Sequence, residues 1–142
     1  MVDESIQPAE WGTAVPAEVL DQVEQMLGMR LPEAWRGYVR RDRWLRRGWL
    51  ESGNFIQLNA PDEALAIMTA WGEALDLHRG FYLLGGDGSR DMYCVDLRDH
   101  DPMVQLTDIV SSGWHNAEPT HLSVAQFVAA IDEGTFRPYP QG

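Results

Sequence analysis

Apolar residues recur at helical spacing in the first part of the chain and at strand spacing further on. Val19, Leu20, Val23, Met26 and Leu27 fall on one helical stripe, Pro16 stands where a first helical position tolerates a missing N–H, and Gly28 supplies a stop. The polar face of that helix carries Glu18, Asp21, Gln22 and Glu24. Leu31-Pro32 reopens a helix, with Glu33 in its first turn and Trp35, Tyr38 and Val39 spaced for burial, so the pattern predicts a helix hairpin or two helices with a sharp elbow. Phe55, Ile56 and Leu58 read as a short strand. After Asn59-Ala60-Pro61-Asp62, the residues Leu65, Met68, Trp71, Ala74 and Leu75 form the stripe of a third helix, ended by His78, Arg79 and Gly80.

From Phe81 the period changes to two. FYLLG, the loop Gly86-Asp87-Gly88-Ser89 and DMYCVDL predict a β-hairpin in which Tyr93, Val95 and Leu97 alternate with Met92, Cys94 and Asp96. Arg98-Asp99-His100-Asp101 turns the chain into a third strand carrying Met103, Val104 and Leu106, which makes an antiparallel meander. SSGWHNAEPTH reads as a loop. Ser123 and Gln126 then match a capping box ahead of Val124, Phe127, Val128 and Ile131, with Gly134 as the stop. No internal repeat is visible, so helices packed on one antiparallel sheet, an α+β domain, is the simplest architecture.

Length and composition narrow this further. A chain of 142 residues, 44% of them hydrophobic, has the size of one domain and can bury roughly two-thirds of its unfolded surface. Residues 16–142 are expected to form that domain. Residues 1–15 lack periodicity and are expected as a flexible arm anchored by Trp11. The 22 acidic against 11 basic residues give a net charge of −11, which repels phosphate backbones and anionic bilayers, so neither nucleic acid nor membrane is an expected partner. The single Cys94 closes no intramolecular disulfide, and the opening MVDESIQPAEWG has no basic and apolar leader; the expectation is a cytoplasmic protein.

Sequence motifs for chemistry are thin. The aspartates of DGSRDMYCVDLRDHD do not follow the ligand spacing of an EF-hand, GGDG lacks the lysine and helix of a phosphate loop, and the four histidines form no HExxH. His115 and His121 lie near Ser111 and Ser112 in sequence, but no G-x-S-x-G elbow is present. Cys94 reads as a small buried residue. No catalytic, metal or cofactor residue is therefore assigned, and no cofactor is expected. The stretch from Arg36 to Trp49 holds six arginines among tryptophans, a composition that suits internal pairing with acidic loops or a protein-binding patch better than nucleic acid, since Asp42 interrupts it.

Three blocks of the chain carry a resemblance. The helix and LGMRLPEAWRGYV from Val19 to Val39, FYLLGGDGSRDMYCVDL from Phe81 to Leu97, and the closing LSVAQFVAAIDEG from Leu122 to Gly134 come in the order found in the SUKH superfamily, or Smi/Knr-type domain, which this chain resembles. Where many members carry an Asn-Gly-Gly-like turn after the second helix, RRDRWLRRGWLESG stands here. The resemblance implies a bent antiparallel sheet backed by helices and no family-wide catalytic residue. It further implies a non-catalytic protein-binding module, foremost an immunity protein that neutralises a bacterial toxin by direct binding, or else a regulatory or scaffold module for a host protein or small ligand. The acidic charge suits a basic toxin domain, which it would attract by steering. Loop position makes Asp87, Arg90, Asp91, Asp99, Asp101 and Trp114 the candidate partner contacts, with Trp114 either an aromatic anchor or a plug that closes its own loop.

Overall fold

The structure is a computed structural model, described here over residues 2–89, 91–108 and 113–138. Among them, seven strands form one antiparallel sheet in chain order: β1 Glu10–Gly12, β2 Trp44–Trp49, β3 Phe55–Leu58, β4 Phe81–Gly86, β5 Met92–Asp96, β6 Met103–Thr107 and β7 Glu118–Ser123. The helices are α1 Ala17–Leu27, α2 Glu33–Val39, α3 Pro61–Trp71 and α4 Val124–Glu133. The expected α+β class and the meander are both present, and the meander is longer than the three strands read from periodicity.

Local chemistry explains the helix ends. Gly28 adopts φ 71° and donates its N–H to the Glu24 carbonyl, closing α1. Pro32 caps α2, and the Glu24 carboxylate, which accepts from the Leu31 N–H at 2.7 Å and from the Arg36 guanidinium, pins the elbow between the two helices. The elbow sends α1 against α3 and α2 against α4. At α4 the capping box forms as expected: Ser123 Oγ accepts from Gln126 N at 3.2 Å, and Gln126 Oε1 accepts from Ser123 N at 2.9 Å. The third helix is shorter than its apolar stripe. Gly72, at φ 54°, breaks α3 after Trp71, and Gly72–Leu75 continue only as a 3-10 turn.

The middle of the sheet is covered on both faces, because Phe81 to Gly85 and Tyr93 to Asp96 are all buried. Tyr93 meets Phe127 of α4 and Phe136, with ring centroids at 5.7 and 5.2 Å. Phe81 pairs with Asp96, out of phase with Tyr93, and packs on the other face against Trp71 of α3 at 6.1 Å. Beneath α2, Trp35 stacks on Tyr38 at 5.3 Å and aims its indole N–H at the Tyr82 hydroxyl, in a geometry too loose for a full hydrogen bond.

Three stretches differ from the expectation. The segment before Pro16 carries β1, its Val2 bridges Leu50, and Asp3 N donates to Trp49 O at 2.8 Å, so it is stitched along β2. The arginine and tryptophan stretch contributes β2 itself. The loop read over SSGWHNAEPTH ends inside β7, whose first residues pair with β6 through Gln105 to Pro119 and Leu106 to Glu118.

Candidate interaction surfaces

The expected contact residues do not form one site. Asp87 and Asp91 belong to the β4–β5 turn, where Asp87 Oδ1 accepts from Ser89 N at 2.8 Å and Asp87 N donates to Asp91 O at 3.1 Å. These contacts shape the turn. Arg90 lies outside the described residues, as do Ser111 and Ser112. Asp99 and Asp101 are exposed in the β5–β6 turn, at the other end of β5. Four residue steps along that strand span about 13 Å, so the two acidic turns work separately.

Trp114 has an internal role. Its indole N–H donates to the Arg79 carbonyl at 2.8 Å, and its ring lies against His78 and Phe81 with centroids at 5.7 and 5.9 Å. Of the two readings of this residue, the geometry favours the plug. His78 beneath it is almost completely buried, and its pKa is lowered, first by desolvation and second by the charge of His115, so it packs as a neutral ring.

The arginine stretch is largely spent on internal pairs, although with helices and β1 rather than with the acidic loops. Arg36 reaches Glu24 and Asp21 of α1, Arg41 forks onto Asp132 of α4 at 2.8 and 3.0 Å, Arg46 reaches Glu63 of α3, and Arg47 approaches Glu10 of β1 at 3.7 Å. Apart from the largely buried Arg36–Glu24 pair, these exposed pairs stabilise by roughly 0–1 kcal/mol each. Their larger effect is electrostatic: cations withdrawn into pairs leave unpaired carboxylates to dominate the outer surface.

What sequence adjacency could not show is the end of the molecule built around Met29. Two clefts adjoin there and share that side chain. One, of about 430 Å³, lies between Met29, Asp76, His78 and Phe81. The other, of about 570 Å³, lies between Met29, Pro32, Leu97, Asp99 and Pro102. Both signs of charge line them: Asp76 with Arg79 in the first, and Glu33 and Asp99 with Arg30 and Arg98 in the second. Close by in sequence, Met26, Leu77 and Met103 are exposed at 73%, 63% and 42%. The exposed Met103, which begins a strand, and Leu77, beyond the apolar stripe of α3, were signals available in the sequence. The larger cleft exists because the α1–α2 elbow meets the β5–β6 turn.

Cys94 is buried, and burial first, then the Asp96 charge, pushes its thiol far above the ordinary range, so it stays protonated. Among the described residues no three His, Cys, Asp or Glu side chains are grouped to hold a metal ion, and no helix is long and apolar enough to cross a membrane. Compared with models of known protein families and with curated proteins, the chain matches none.

Proposed function

We propose that this chain is a SUKH-type, Smi/Knr-like protein-binding module, acidic as a whole, whose Met29 end docks a basic protein, and that the docking neutralises a toxin domain in the cytoplasm. The observation that carries the reading is the pair of adjoining clefts that share Met29 and carry Asp76 and Asp99 beside apolar walls, with Arg30, Arg79 and Arg98 on the same linings to orient a partner. Methionine adapts its shape to a partner, a cleft gives an anchoring side chain somewhere to go, and the carboxylates select lysine or arginine. The three blocks of family resemblance coincide with the α1–α2 elbow, the β4–β5 hairpin and α4, which supports the assignment. The net charge of −11 speeds encounter with a basic surface and makes the encounter sensitive to salt.

The test is capture on the tagged chain from its native lysate at low and at moderate salt, with a D76N/D99N/D101N variant alongside. The expected result is a basic chain recovered in one-to-one ratio, released as salt rises, absent from the variant, and inhibited in its own activity by added wild-type protein. A partner that the variant retains equally well overturns the surface. A partner whose activity the protein leaves untouched overturns the neutralising role.

A further inference from the structure

A second site lies away from the Met29 end, and it stands independently of the reading above. Arg43 follows α2, and its guanidinium carbon sits 3.8 Å above the centre of the Trp11 ring. Of the other arginines in the stretch, Arg36, Arg41, Arg46 and Arg47 are each held by a carboxylate, and Arg40 is exposed to solvent. Arg43 is held by an aromatic face instead. Stacking of this kind fixes the direction of a guanidinium without using its N–H donors, and among the described residues no acceptor meets them.

Both side chains line a half-open cleft of about 320 Å³ between the β1–β2 edge of the sheet and the end of α4. That volume lies in the range of small-ligand sites. Trp44, Leu45, Ile131 and Val2 give it apolar walls. The Trp44 ring is fixed by its indole N–H, which donates to Thr13 O at 2.8 Å, and by close approach to Gly12, where a methyl group would overlap the ring. Arg41 also borders the cleft, but both arms of its fork are taken by Asp132. Its charge and the fork face of its guanidinium are therefore taken, whereas Arg43 has no carboxylate partner among the described residues.

The charges decide which anion fits. Glu4 and Asp132 stand on the same walls, so a dianion such as phosphate meets repulsion with one available guanidinium to offset it. A carboxylate carries one charge and matches the guanidinium fork with two parallel hydrogen bonds. We propose that this cleft binds a carboxylate carried on a flat apolar body, with Arg43 gripping the carboxylate and the apolar walls taking the body. Trp11 is the positioning residue that aims Arg43. The ligand is either a free aromatic acid or the aromatic C-terminus of another chain, which share that chemistry.

The test titrates the isotope-labelled full chain with benzoate and with its neutral isostere benzamide, and follows the Trp11 indole N–H, assigned with a W11F variant. The expected result is a saturable shift at millimolar benzoate, weakened about tenfold or more for benzamide, in line with loss of a charge-assisted hydrogen bond. R43Q abolishes the shift while the other indole signals stay in place, and R43K, which keeps the charge without the fork, binds at intermediate strength. N-acetylphenylalanine in a parallel titration separates the two sources: tighter binding than benzoate points to a chain terminus, and equal or weaker binding to a free acid. No saturable shift with either acid, or an equal shift in R43Q, overturns the site.

Discussion

Asp96, the last residue of β5, has its side chain only 10% exposed while its partner Arg98 remains half in water. The carboxylate accepts from the Arg98 backbone N–H at 3.0 Å, from Nε at 3.0 and 3.2 Å, and from Nη2 at 2.7 Å. Gly80, at φ 80°, makes room for it, since a Cβ there would collide with the carboxylate. Burial by itself raises the pKa of Asp96, and the Arg98 side-chain and backbone hydrogen bonds together outweigh it, so the folded value lies below the ordinary one. A carboxyl depressed in the folded state contributes stability that is present above its unfolded pKa of about 3.9 and is lost as pH falls through the lower folded value. D96N should therefore destabilise the protein at neutral pH, by about 1 kcal/mol because Arg98 is half in water and solvent screens the pair. Urea midpoints measured from pH 7 down to strongly acidic pH should fall less steeply for D96N than for wild type. Parallel curves would show that Arg98 does not hold the charge.

Among the elements, α4 shows how far a sequence signature can be trusted. Ser123 and Gln126 announce its start, Gly134 its end, and the buried stripe Val124, Phe127, Val128 and Ile131 lands as the period requires. S123A should cost about 1 kcal/mol in a urea melt, and S123D should recover most of it, because aspartate also caps. The strands β4, β5 and β6 were equally legible, since alternation and turn residues agree there. The strand β2 was not: WLRRGW has no polar–apolar alternation, and its arginines suggested a surface rather than a strand whose charges reach sideways to α3 and β1. The strand β7 hid for a different reason. EPTHLS holds Pro119, and His121 sits at φ 64°, a left-handed value rarely adopted by side-chain-bearing residues; both are tolerable because this is an edge strand beside a register shift. For the candidate sites the limit was spatial. Trp114 was recognisable as a residue with two roles, and only the carbonyl of Arg79 chose between them. No local pattern could place Met29 between two clefts or Trp11 beneath Arg43.

At the scale of the whole molecule, the order β1 to β7 leaves two sheet edges to protect, and the chain treats them differently. On the β7 side, Pro119 and the irregular register blunt the edge. On the other side the N-terminal segment does the work. β1 pairs with β2 through Glu10 to Arg47, Trp11 to Leu45 and Gly12 to Trp44, and the Val2 bridge to Leu50 with the Asp3 bond to Trp49 continues the cover to the far end of β2. A chain lacking residues 2–12 loses this ladder, in which each backbone hydrogen bond contributes about 1 kcal/mol, and uncovers a six-residue strand that holds Trp44, Leu45 and Trp49. The exposed row of N–H and C=O groups is a template for a second copy. The shortened protein should therefore unfold at lower urea and, in sedimentation velocity, form a larger species as its concentration rises, while the full chain shows no such species. Charge offers a further check on the cause: the deletion also removes Glu10, the partner of Arg47, so self-association should persist at high salt because edge pairing drives it, whereas association through the freed arginine would shrink with salt. A shortened chain that stays monomeric with an unchanged midpoint would mean that β2 needs no cover.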